Sequence, residues 1–309
     1  AMFSKLLKNR LFPDTLQWMA TLFMLPALAL LLFGPADQEN PANLLVWMFW
    51  WPMLCVLFLV AGRIWCSLCP FSLLGGWAQR VAGLQRAVPD FLKQYGSLLI
   101  LIAFFLLFWF EEIYHVVVSP RGTAVVLLTI LSGAVIFGLF FRGRAWCRYV
   151  CPLGGISLIY ARTAFFKVRS KEAACAECLT KDCVVPDGGY AGCPMALTPF
   201  AIDTVSDCCF CGSCVKRCTN QSMRVSFEAP SLDLSGHSSV SPAVVWLVIL
   251  WAGHLVFLNL LAGQNLPVSS FVHHAKSPVF LKTALMFCSM LFCYILFEAC
   301  VRLAKGRRT

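Results

Sequence analysis

Stretches dominated by apolar residues recur six times along the chain, over Thr15 to Gly34, Asn43 to Gly62, Tyr95 to His115, Thr123 to Phe141, Pro242 to Gly263 and Val279 to Val301. Each is long enough to carry a helix across a hydrocarbon core about 30 Å thick, at 1.5 Å of rise per residue. The polar connections between them are short, except for one of about 100 residues from Arg142 to Ser241. The pattern predicts an all-α membrane protein of six transmembrane helices, with an inserted domain between the fourth and fifth. The first stretch occupies the position of a signal peptide. Its apolar part is too long, and no small-residue cleavage site precedes Asn43, so a retained helix is expected.

Composition strengthens this reading, since 59% of the 309 residues are hydrophobic and 13% charged. A wholly water-soluble chain is excluded, and so is a disordered one, because 26 Phe and 10 Trp would collapse or partition rather than stay solvated. The net charge of +10 invites a nucleic-acid partner, but 22 of the 25 Lys and Arg fall in residues 1–14, 63–94, 142–241 and 302–309. These are alternate connections, and basic loops are retained in the cytoplasm. Both termini and the insert are therefore expected on the cytoplasmic side of a bacterial-type inner membrane, and no nucleic acid is needed to explain the charge.

The insert region, from Arg142 onward, holds eleven of the 17 cysteines, on a side where disulfides are reduced. Cys208, Cys211, Cys214 and Cys218 form CxxCxxCxxxC, the bacterial ferredoxin run, with Thr219 in place of the usual Pro. In that run three thiolates wrap one cubane and the fourth reaches another. Cys175, Cys178, Cys183 and Cys193 make a stretched copy. Crossed ligation would then place Cys175, Cys178, Cys183 and Cys218 on one 4Fe4S cluster and Cys193, Cys208, Cys211 and Cys214 on the other, with Cys209 spare. Structural zinc is the alternative for CxxC pairs, although the 2-2-3 spacing has no zinc rationale. The four units expected are residues 1–141 with helices one to four and a first cysteine elbow, 142–169 with a second elbow, 170–240 as a two-cluster ferredoxin-like domain, and 241–309 with the last two helices and a basic tail.

The elbows are a repeat. GRIWCSLCP from Gly62 recurs as GRAWCRYVCP from Gly143, 81 residues later, each after a pair of helices. Helices one and two thus read as a parallel repeat of helices three and four, which brings Cys66, Cys69, Cys147 and Cys151 to one membrane face. Four soft thiolates suit a third metal or cluster, or dithiol exchange; alternatively each Cys-Pro only stops a helix. Arg63 and Arg144 are expected at lipid headgroups, and Trp65 and Trp146 in the interfacial belt.

With these motifs the chain resembles the polyferredoxin-type membrane quinol dehydrogenase family that includes NapH, the membrane part of NosR and the CcoG-like proteins. Cys147 to Pro152 matches the CxxxCP elbow of that family, whereas Cys66 to Pro70 is one residue short. The resemblance implies electron transfer between the quinone pool and a partner redox protein within a respiratory complex, using two 4Fe4S clusters, with other redox subunits, quinone and the bilayer as partners. The CcoG-like branch implies a different role, an assembly or maintenance reductase that delivers cluster electrons to a metal ion such as copper or to a thiol.

Ionisable residues inside spans are costly and point to function. Glu111, Glu112 and His115 lie together near the outer end of the third helix and can accept protons as quinol is oxidised, or simply mark the water interface. His254, deeper in the fifth helix, reads as a packing residue or a quinone hydrogen-bond donor. Its depth along the helix, roughly 18 Å against about 30 Å for His115, argues against a shared haem. His273 and His274, beside Lys276, read as solvated.

Overall fold

The computed structural model describes residues 6–184, 192–202, 205–229, 242–262 and 278–306. His273, His274, Lys276 and Ser235 lie outside the described residues. Within them six helices are long and apolar enough to cross a membrane. In chain order the principal helices are α1 (Asp14–Phe33), α2 (Pro41–Ala61), α3 (Pro70–Ala82), α4 (Asp90–Tyr114), α5 (Pro120–Phe140), α6 (Pro152–Tyr160), α7 (Pro242–Ala262) and α8 (Pro278–Gly306). All but α3 and α6 are the six spanning helices.

Local chemistry sets their ends. Asn40 caps α2 by accepting from Ala42 N at 3.0 Å and Asn43 N at 3.3 Å, and Ser119 caps α5 by accepting from Gly122 N at 3.1 Å. In both helices Pro occupies the first turn, where its missing N–H costs nothing. These two starts are repeat-related and tied together. Asn43 Nδ2 donates to Val117 O at 2.7 Å, and Thr123 Oγ1 donates to Asn43 Oδ1 at 2.8 Å. Large apolar side chains such as Phe23, Met48 and Phe292 remain exposed on the bundle's outer face, as lipid-facing positions require.

The core between α2, α4, α6 and α7 is built from Phe58, Phe104, Leu153, Ile156, Leu247 and Phe257. Against α5, α3 packs through small residues, and a Cβ on Gly75 would stand 2.6 Å from Ala134 O. The insert is not purely helical. Its two ends pair as an antiparallel ribbon, β1 (Phe166–Arg169) with β2 (Arg224–Phe227), in the register Phe166↔Phe227. Alternation of apolar and polar residues in Phe-Lys-Val-Arg and Arg-Val-Ser-Phe suits a half-buried strand better than a helix. The ribbon closes the insert at its base, beside Ala164 and Val168 of the buried cluster that also holds Phe210 and Val215.

Candidate functional site

Two cavities in the insert collect its cysteines. One, the inner, is lined by Cys193, Cys208, Cys211 and Cys214 together with Cys209, Pro194, Phe210 and Val215. The other, the outer, is lined by Cys175, Cys178, Cys183 and Cys218 with Lys181, Asp182, Arg217 and Ser222. Each cavity therefore takes three cysteines from one run and one from the other. The chain folds this way because the ribbon returns residue 224 beside residue 169, which lays the end of the second run against the start of the first.

Ser222 fastens this return. It is 1% exposed, its N–H donates to Cys218 Sγ at 3.2 Å, and its hydroxyl lies 3.1 Å from Cys175 Sγ and accepts from Lys171 N at 2.9 Å. Sequence reasoning missed it, since a lone Ser after a cysteine run carries no spacing signal. Burial dominates the acidity of the thiols. It pushes Cys208 up to about 12, with the Cys211 and Cys193 thiols adding to the rise, and holds Cys214 well above the ordinary thiol range. Cys211 is held below that range by a hydrogen bond from Cys209, with help from Arg144 and Ser213. Both donor sets fit a thiolate-ligated 4Fe4S cluster, because each cavity presents four thiols and polar hydrogens aimed at sulfur. Among the described residues, no group of three or more Cys, His, Asp and Glu is gathered tightly enough to hold one metal ion.

The elbows lie directly against this insert. Gly62 and Gly143 take φ of +60° and +74°, conformations that a side chain resists. A Cβ on Gly62 would meet Phe210 at 3.1 Å, and one on Gly143 would meet Pro194 O at 2.9 Å. The short helix Ile64–Leu68 leads to Cys69, and Ala145–Tyr149 leads through Val150 to Cys151. Cys69 (φ −63°, ψ 124°) and Cys151 (φ −56°, ψ 122°) share one backbone conformation. The extra residue is absorbed at Val150, whose N–H and that of Cys151 both donate to Trp146 O at 3.0 and 2.9 Å. Each Cys-Pro thus starts a new helix as well as stopping one.

All four elbow thiols are neighbours. Burial, followed by Cys147, Cys66 and Cys151, pushes Cys69 well above the thiol range, and burial with Cys147 and Cys66 pushes Cys151 up to about 12. Arg63 and Arg144 do not face headgroups as expected. Arg63 is 2% exposed, and each guanidinium crosses to donate to the opposite elbow's carbonyl. Trp65 and Trp146 are half-buried, with indole nitrogens that have no hydrogen-bond partner, rather than standing free in an interfacial belt. A cleft of about 270 Å³ opens beside Arg144 and is lined by both Cys147 and Cys211.

At the other end of the bundle, Glu112 Oε1 lies 3.9 Å from His254 Nε2. Lys282 Nζ donates to Glu112 O at 3.4 Å and lies 3.4 Å from His115 Nε2. His254 stacks on Phe108 with ring centres 4.1 Å apart, and its Nδ1 is buried without a partner. The unequal depths counted along the two helices do not separate these residues, because α7 starts further along the bundle than α4. Glu111 is half-buried and has no ion pair among the described residues. This group stands roughly 24 Å along α4 from Gly96, where Tyr149 of the second elbow packs.

Residues 43–88 and 123–171 each match a family described as a 4Fe-4S binding domain. Each segment contains one complete elbow, and they are separated by about the 81-residue period of the repeat. A protein of Escherichia coli (strain K12) named "Putative electron transport protein YccM" is 28% identical over 193 residues, covering 53% of this chain and 50% of that protein. The "Uncharacterized protein MJ0749" of Methanocaldococcus jannaschii is 28% identical over 170 residues, covering 53% of this chain and 64% of its own length. The chain spans between half and two thirds of these curated relatives. No solved structure matches it.

Proposed function

We propose that the chain is a membrane electron-transfer subunit that passes electrons between the quinone pool and a partner redox protein through two 4Fe4S clusters in a cytoplasmic ferredoxin-like insert. The observation that carries this reading is the pair of cavities, each lined by a crossed set of four cysteines, set against a bundle of six apolar helices. The relative named for electron transport and the 4Fe-4S family match support an iron–sulfur electron-transfer role, the match falling on the elbow segments 43–88 and 123–171. A cluster of this kind supplies a one-electron store when bound.

Cys175, Cys178, Cys183 and Cys218 are the proposed ligands of one cluster, and Cys193, Cys208, Cys211 and Cys214 those of the other. Ser222 and the backbone orient the thiols, while Phe210 and Val215 keep water from the inner cavity. Cys66, Cys69, Cys147 and Cys151 form a third thiol site between bundle and insert, too widely spaced for a single metal ion and available to a larger cluster core or to dithiol exchange. Glu111, Glu112 and His115 are assigned proton acceptance only, since the thiols lie at the opposite end of the bundle.

Reduction of the clusters by added quinol in membranes tests the reading. Iron-loaded protein that quinol fails to reduce, but that a cytoplasmic donor reduces, would overturn the quinone assignment and favour the metal or thiol reductase. Colourless, zinc-loaded protein would end both. Fusions of compartment reporters at Asn40 and Arg121, expected outside, and at Ser235, expected inside, test the orientation.

A further inference from the structure

Arg63 and Arg144 are equivalent residues of the two elbows, and they exchange partners across the repeat. Arg63 Nη2 donates to Cys147 O at 3.0 Å, and Arg144 Nη1 donates to Cys66 O at 2.8 Å. Both also reach the insert. Arg63 Nη1 donates to Ser206 O at 3.2 Å, and Arg144 Nη1 reaches Cys209 Sγ at 3.6 Å.

Arg63 is a buried cation and Arg144 a half-buried one, and their neighbours are unusual. Among the described residues neither has a carboxylate within 4.0 Å, and Arg63 Nε is buried with no hydrogen-bond partner. Asp207 acts on Arg63 from beyond that distance, and the other groups that act on the two guanidiniums are the thiols Cys66, Cys147, Cys209 and Cys211. Carbonyl partners solvate a guanidinium without neutralising it, and an uncompensated buried charge is strongly destabilising. The compensation comes from Asp207 and, in the two-cluster reading, from the thiolates that ligate the inner cluster.

We propose that Arg63 and Arg144 are positioning residues that form a fixed pair of positive charges, raising the reduction potential of the centre held by Cys193, Cys208, Cys211 and Cys214 above the value its burial would impose. The proposal rests on the two-cluster reading. Uptake of one electron at that centre adds one negative charge and neither makes nor breaks a bond. In a buried cavity water cannot stabilise the added charge, whereas a cation in the same low-dielectric region does. Among the described residues the outer cavity is lined by no such cross-bonded pair of arginines. Its cations are an exposed Lys181, whose field water and salt screen, and a half-buried Arg217.

The experiment is a redox titration followed by electron paramagnetic resonance on the detergent-solubilised full chain, with dithionite as the electron donor and Cys178→Ser assigning the two signals. In Arg144→Gln the inner centre should become at least tenfold harder to reduce, which is about 59 mV for one electron, while the outer centre stays at its wild-type potential. Arg63→Gln should move the inner centre in the same direction, and Arg144→Lys should keep it near the wild-type value. An unmoved inner centre in Arg144→Gln, or equal movement of both centres, would overturn the proposal. If Arg144→Gln loses the inner iron, Arg144→Lys decides. Wild-type potential there supports a fixed charge, and loss of iron there too shows that the guanidinium acts by shape and sinks the idea. Failure of the underlying reading looks different, as wild-type protein without iron or a cluster signal.

Discussion

The inner and outer cysteine cavities draw on the same kind of ligand set and sit in opposite surroundings. The inner one lies under the elbows, closed by Phe210, Pro194 and Val215, with Arg144 bonded to the spare thiol Cys209 on its rim. The outer one is bordered by Lys181, Asp182 and Asn220 near water. A repeated motif in the chain thus yields two non-equivalent sites, because solvent screening and fixed charge belong to position in the fold. In the proposed two-cluster reading, the inner site is the one that would exchange electrons with the membrane domain and the outer one the one that would meet a soluble partner.

The largest expected effect is loss of one centre at a time. Cys211→Ser and Cys193→Ser should each remove about half of the iron with the inner signal, and Cys178→Ser and Cys218→Ser the other half with the outer signal. Two intact cysteine-ligated clusters in Cys218→Ser would break the crossed assignment and, with it, the distinction between the cavities.

Next in size are the elbows. Cys66→Ser, Cys69→Ser, Cys147→Ser and Cys151→Ser should share one phenotype, in which quinol no longer reduces the inner centre while both clusters remain by iron assay. Four unrelated phenotypes would return the elbows to independent helix junctions.

Docking of the insert is sharpened by Gly143→Ala. A left-handed backbone and a contact with Pro194 O should cost about 1–2 kcal/mol, read as cluster bleaching at lower urea, with the inner centre lost first. The smallest effect belongs to the outer cavity. Ser222→Ala removes the hydroxyl beside Cys175 and, at about 1 kcal/mol for a hydrogen bond, should move the outer potential by tens of mV and leave the inner one in place.

Much of this was legible along the chain. Six spans follow from apolar length alone, and α1, α2 and α5 begin and end within a few residues of the expected stretches, because a helix in lipid must satisfy its backbone internally. The cysteine spacings suggested crossed sets, and the Cys218→Ser protein is their test. Arg63 and Arg144 were misread as headgroup contacts, because a basic residue after an apolar run has that role in isolation. Ser222 and the pairing of Glu112 with His254 were invisible, since each joins segments far apart in the chain.

The sequence by itself determined what is periodic or local: helix number, the elbow repeat, the soft-ligand chemistry and the asymmetric distribution of basic residues. Only the tertiary structure decided which thiols share a cavity, which cations are buried beside them, and that the elbows exchange arginines. Those outcomes depend on distances between segments brought together by the ribbon and by the packing of α3 on α5. Electrostatic strength is set by that proximity and by exclusion of water, and neither is a property of any one stretch of chain.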